Sequence, residues 1–299
     1  MFLTGSHVAF RCSHWPVITP GGFDVRINGR LLVPISLAVV LATAACGLSA
    51  PASGQADVPL SGATAQNPDP SPSDTPTSSP TPEIPTDAQI PTRAAGTFTT
   101  ATGTGRVIGK GKKRVRYSVS VEKGIAWGDI PAWKPDRFAA SIEQVLAAPN
   151  GWSTSAQHPV TNAAVNLNRA SWSFQRVGTS KVDVDVRLAT PRTVDRLCGA
   201  SGVDTEGVYS CKYGKTIMIN LRRWLQGSPG YPVSIDEYHA GVINHEFGHF
   251  LGFAHMKCGG RGKPAPVMMT QTMGLGGCVP NVSPFVGNGQ FVSGPWAPS

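Results

Sequence analysis

Hydrophobic and polar positions divide the chain into three stretches. Residues 31–45 (LLVPISLAVVLATAA) form an apolar run with Arg26 and Arg30 ahead of it. A basic flank followed by a run of that length is the pattern of an export signal, and the run falls short of the ~20 residues that a membrane-spanning helix needs. The stretch before it is long for such a flank, which predicts a translation start nearer Val25. Residues 47–95 carry ten prolines and no aromatic residue. Such a segment buries too little apolar surface to offset its ordering entropy, so an extended, disordered linker is predicted.

Periodicity returns over residues 96–299, long enough for one domain with its own core. Residues 97–102 and 105–109 read as strands around a Gly-Thr-Gly turn, and 114–121 alternates polar and apolar as a half-buried strand does. Residues 135–148 place Phe138, Ile142, Val145 and Leu146 on one helical face, with Pro135 early and Pro149-Asn-Gly151 as the stop. Strands are predicted again at 171–177 and 181–188, a short helix at 190–197, a hairpin at 208–213 and 215–221 around Gly214, and a short turn or helix at 222–226. The longest helix is predicted at 235–251. Ser234 is its N-cap, Glu237 completes a capping box, and Val242, Ile243, Phe247, Phe250 and Leu251 recur at helical spacing. Beyond His255 the chain is loop, with 15 Gly or Pro among its last 41 residues. The expected class is α+β: a twisted mixed sheet, a backing helix, one long helix above a cleft and a loop-rich C-terminal part.

The long helix carries the chemistry. His245 and His249, four residues apart, share a helical face and can reach a single ion. Glu246 stands beside them, placed to act on a water held by that ion. Gly252 can take the positive φ that ends a helix, letting the chain turn and present His255 as a third nitrogen ligand. Three neutral imidazoles with one open position is the arrangement of catalytic zinc, whereas structural zinc closes all four positions. His158 and His239 fall outside this pattern and read as surface or loop residues.

The stretch His-Glu-Phe-Gly-His-Phe-Leu-Gly-Phe-Ala-His, with Pro266-Val-Met-Met-Thr-Gln-Thr272 after it, resembles the metzincin clan of zinc metallopeptidases over residues 234–273. The rest of the domain looks like a family of secreted actinobacterial proteins. The metzincin resemblance implies Zn²⁺ on His245, His249 and His255, Glu246 as general base, and a methionine beneath the metal, Met268 or else Met269. It also implies a peptide or protein substrate lying along an edge strand, for which 215–221 is the expected strand. Some metzincins place Tyr two residues after that methionine. Thr270 stands there, which leaves Tyr231 or Tyr238 as stand-ins.

Six cysteines refine the picture. Thr43-Ala-Ala-Cys46 resembles a bacterial lipobox with Thr where Leu is usual. It suggests lipidation of Cys46 and a tether on the outer face of a membrane, with plain cleavage or an uncleaved anchor as the alternatives. The four cysteines of the domain suit an oxidising, extracytoplasmic compartment. Of their three pairings, Cys198–Cys211 with Cys258–Cys278 joins neighbours across short loops, and no C-x-x-C pair favours cysteine zinc ligands. Residues 96–299 hold 22 Lys and Arg against 12 Asp and Glu. The cluster Lys110-Gly-Lys-Lys-Arg114 reads as a solvated hairpin edge, or as a contact for anionic wall polymers. No basic motif is interleaved with aromatics, so nucleic acid is not an expected partner. The expectation is a monomeric zinc metallopeptidase, secreted or surface-tethered. The alternatives are a non-hydrolytic, zinc-containing, wall-associated binding lipoprotein and a peptidoglycan amidase.

Overall fold

The computed structural model describes residues 83–297. The export segment, Cys46 and the linker up to residue 82 lie outside the described residues. Strands β1 (Phe98–Thr100), β2 (Val107–Ile108) and β3 (Lys113–Glu122) lead into helix α1 (Pro135–Ala147). A short hairpin of β4 (Val160–Asn162) and β5 (Leu167–Ala170) precedes β6 (Trp172–Arg176), β7 (Val184–Ala189) and helix α2 (Pro191–Gly199). Then come β8 (Cys211–Tyr213), β9 (Thr216–Asn220), α3 (Leu221–Gln226) and α4 (Ile235–Leu251). A final pair, β10 (Phe285–Val286) and β11 (Gln290–Phe291), lies in the loop-rich C-terminal part.

The main sheet runs β2-β6-β3-β7-β9-β8, with β1 paired to the second half of β3. Its four central strands, β6, β3, β7 and β9, are parallel, and β1, β2 and β8 are antiparallel to their neighbours. The expected edge strand is therefore an interior one: β9 lies between β7 and β8, and β8 is the edge. Strand β3 also departs from expectation. From Tyr117 onward it is buried on both faces, because it sits in the middle of the sheet. Two of its polar residues find polar partners inside the fold. Ser118 donates to Asp185 at 2.7 Å, and the Glu122 carboxylate accepts from Gly96 N, Thr190 N, Thr190 Oγ1 and Thr193 Oγ1 at 2.6–2.8 Å. That carboxylate thus ties the start of the sheet to the first turn of α2.

Val115, Tyr117, Val119 and Val121 of β3 point into the larger core, against Phe138 and Ile142 of α1 and Phe247 of α4. Phe247 meets Tyr117 and Phe174 edge to face, at centroid distances of 6.0 and 5.7 Å. The opposite face, at the β8–β9 end, packs on α2 through Ala189, Val194, Cys198, Cys211 and Met218. Both expected disulfides are present: Cys198–Cys211 fastens edge strand β8 to α2, and Cys258–Cys278 closes the loop after α4. Such bonds fit an oxidising, extracytoplasmic environment. Among the described residues no helix is long and apolar enough to cross a membrane.

Residues 83–95, which composition assigns to the linker, belong to the folded body. Ile90 is buried, Gln226 Nε2 donates to Pro85 O (3.0 Å) and Asp87 Oδ1 (2.9 Å), and Arg222 lies 3.2 Å from the Asp87 carboxylate. The proline-rich composition hides this because one buried isoleucine and a few polar contacts leave no periodic signal. Lys110, Lys112, Lys113, Arg114 and Arg116 are exposed around the β2–β3 turn, at the sheet edge away from β8.

Candidate metal centre

Helix α4 begins where its capping box predicts. Ser234 Oγ accepts from Glu237 N at 3.3 Å, and Ser234 N donates to Glu237 Oε2 at 2.8 Å. Ser234 N and Ser234 Oγ, which also donates to Glu237 Oε2 at 2.8 Å, hold the Glu237 carboxyl below the usual carboxylate range. The helix ends at Gly252, whose φ of 108° is open to glycine and costly for other residues. Gly252 N–H bonds to Gly248 O and His249 O, and Phe253 N bonds to Gly248 O at 3.0 Å, so the chain turns back at once.

That turn brings the three histidines together. His249 Nε2 lies 3.0 Å from His245 Nε2 and 3.2 Å from His255 Nε2. His245 Nδ1 donates to Val267 O (2.7 Å) and His249 Nδ1 donates to Phe253 O (2.9 Å). A carbonyl oxygen only accepts, so both protons are committed to Nδ1 and both Nε2 atoms present lone pairs. Lone pairs this close repel unless a cation lies among them. Nitrogens held at Zn–N bond lengths around a tetrahedral ion would stand about 3.3 Å apart. The donor set fits a borderline divalent transition metal, and all three candidate ligand atoms lie within 4.8 Å of one another.

Burial keeps these imidazoles neutral. It pushes His245 down to about 3, aided by the His249 charge, and His249 down to about 4, and it lowers His255 as well. Neutral imidazole is the ligating form. Glu246 is buried too, its Oε2 has no hydrogen-bond partner within the protein, and desolvation lifts its pKa to about 8. Glu246 and all three histidines line one cleft of about 650 Å³, with Lys212 of β8, Tyr231, Tyr238 and Gln271 among its other walls.

Several residues that periodicity does not mark support the centre. Trp152 Nε1 donates to Asn244 O (2.9 Å), and its ring stacks on Phe253 at 5.3 Å, pinning the last turns of α4. Met268 is buried against Gly248, between the two helical histidines, so that a Cβ on Gly248 would collide with its Sδ. Met269 lines the cleft wall instead. Gln271 and Asn281 bind each other reciprocally (2.6 and 3.1 Å), and Tyr231 OH donates to Gln271 Oε1 at 2.8 Å. Burial, with Glu237 nearby, pushes the Tyr231 phenol up to about 12. The ligand loop is held from both sides, by Met256 N to Met268 O and by Lys257 N to Pro295 O and Ala297 N to His255 O.

The other two histidines separate. His158 is exposed. His239, expected at the surface, is buried: it stacks on Trp224 at 3.7 Å and donates from Nε2 to Trp224 O. Its partner comes from α3, which the spacing of residues within α4 cannot reveal. No curated protein and no solved structure matches the chain. The model of the family described as a protein of unknown function (DUF3152) matches residues 84–279, well over half of the 299 residues, and the chain belongs to that family.

Proposed function

We propose that the domain is a zinc-dependent metallopeptidase of metzincin type that acts outside the cytoplasm. The observation that carries this reading is the convergence of three imidazole Nε2 atoms beside a buried carboxylate oxygen without a partner, in one open cleft. A zinc ion held by His245, His249 and His255 would supply Lewis acidity, polarising a peptide carbonyl and making water a stronger acid. The residues of the chain provide the rest. Edge strand β8 offers an extended peptide unpaired backbone groups along the cleft. Glu246 accepts the proton of the attacking water and passes it to the leaving amine. Met268 supplies an apolar floor, and the carbonyls of Val267 and Phe253 hold two ligand rings in their ligating tautomer. Tyr231, fixed by Gln271, stands in the cleft wall where Thr270 offers no phenol. Carboxyl-terminal to an export signal and a proline-rich linker, such a domain would work on peptides or proteins at the cell surface.

The test is metal analysis and a peptide-library cleavage profile on residues 83–299. Wild type should hold one zinc per chain and cleave. Glu246→Ala should keep the zinc and lose at least about a hundredfold in kcat/KM, and His249→Ala should lose both. Cleavage by Glu246→Ala at the wild-type rate, or a wild-type domain without stoichiometric transition metal, would sink the proposal.

A further inference from the structure

Resting on the peptidase reading, we propose that Lys212 is a specificity residue that selects substrates bearing a carboxylate beside the scissile bond. Strand register fixes the side to which Lys212 points. In β8, Cys211 pairs with Met218 and turns toward α2, where its sulfur is bonded to Cys198. Alternation along a strand then sends Lys212 to the other face. Its partner Ile217 is fully buried in the core beneath α4. Lys212 is therefore carried on the free edge of the sheet, on the α4 side, and it lines the cleft together with His245, Glu246 and His249.

Its surroundings leave the charge unanswered. Lys212 is only half-exposed, and among the described residues it forms neither an ion pair nor a hydrogen bond to a side chain. A solvated lysine on an edge strand would serve only to block pairing with another sheet. This one faces inward, over walls that include Val203, Tyr209 and Val242. Two carboxylates share the cleft. Asp204 is exposed and turned back into its own loop, accepting from Glu206 N at 2.9 Å. Glu246 is the buried proton acceptor. A peptide paired to the free edge of β8 places alternate side chains on the same face as Lys212. A Glu or Asp side chain there would find a partly desolvated ammonium with no competing partner, in a setting where charge attraction is stronger than in bulk water.

The experiment uses matched peptides that differ only in Glu or Gln at the positions flanking the cleavage point, offered to the zinc-loaded domain. The wild-type ratio of kcat/KM, Glu over Gln, should be at least about tenfold. The ratio should fall to about one in Lys212→Met, survive in Lys212→Arg, and drop below one in Lys212→Glu, which should instead favour a Lys peptide over the Gln peptide. A second readout needs no turnover: calorimetry with the Glu246→Gln protein should show tighter, salt-sensitive binding of the Glu peptide. If peptides are cleaved with equal efficiency, or Lys212→Met leaves the ratio unaltered, the specificity role is overturned while the peptidase reading stands. If nothing is cleaved, the peptidase reading fails, and equal binding of the two peptides by Glu246→Gln then overturns the Lys212 role as well.

Discussion

Gly248 lies between the two helical ligands, where helix propensity alone would favour alanine by about 1 kcal/mol. The structure opposes that gain. A Cβ there would run into Met268 Sδ and press to 3.1 Å from Trp152 Cζ2. Gly248→Ala should therefore destabilise the domain by about 1–3 kcal/mol, the usual range for overpacking. On the metallopeptidase reading Met268 would form the floor under the ligands, so zinc affinity should fall in parallel. Urea unfolding and a competitive chelator titration measure the two effects, and an alanine variant that is more stable than wild type would contradict the packing described. The titrating groups give a second residue-scale prediction, for the metal-free domain. His245 and His249 are depressed in the folded state to about 3 and about 4, from about 6.5 unfolded. The unfolded chain binds more protons across that window, so their contribution is full above about pH 6.5 and is lost as pH falls toward 3. Glu246 is raised to about 8 from its unfolded value near 4.5, so its contribution has the opposite sign and is lost as pH rises through 8. Stability should fall between pH 6.5 and 8 in wild type, and Glu246→Gln should flatten that limb while keeping the acid one. Parallel alkaline limbs in the two proteins would contradict the burial of this carboxyl.

Elements with local signals were legible in the sequence, and those defined by their neighbours were not. Helix α4 runs Ile235–Leu251 as its capping box and terminal glycine predict, because both devices act within a few residues. The convergence of the three histidines follows from that helix and that turn. The order of strands across the sheet is a long-range property, so the expected edge strand proved to be interior β9, with β8 outside it. In β3 the serines read as solvent-facing, although Ser118 is buried and bonds to Asp185 of β7. Trp152 was missed because its short 3-10 turn shows no periodicity, even though its indole bonds to the helix that carries His245 and His249. The disulfides were readable from proximity in sequence, and Cys198–Cys211 now has a stated purpose: it holds a three-residue edge strand whose other side is open. Replacing both cysteines by serine releases a loop of separation 13, which should cost about 3 kcal/mol. Because Lys212 rides on the same strand, the loss of substrate selectivity should exceed the loss of zinc. A variant with wild-type thermal stability would show that α2 and β9 alone hold β8.

At the scale of the molecule, the two ends of the described chain do different work, and truncation separates them. The N-terminal segment packs Ile90 into the core and braces α3 through Asp87, Arg222 and Gln226, away from the histidine cluster. The C-terminal segment lies against the ligand loop. Ala297 N bonds to His255 O, Lys257 N bonds to Pro295 O, and Met256 bridges to Trp296. The third ligand is the one not carried by the helix, so its position depends on that clamp and on the Cys258–Cys278 loop. Starting the domain at Gly96 should cost stability by about 1.5–3 kcal/mol, the burial value of one large aliphatic side chain, and leave zinc affinity close to that of the longer domain. Ending it at Val292 should instead weaken zinc binding by about 10–100-fold, the usual effect of removing the contacts that orient a ligand. Both proteins can be compared by unfolding midpoint and by zinc competition at fixed pH. A C-terminal truncation that binds zinc as tightly as the full domain would mean that Gly252 and the turn after it suffice to place His255.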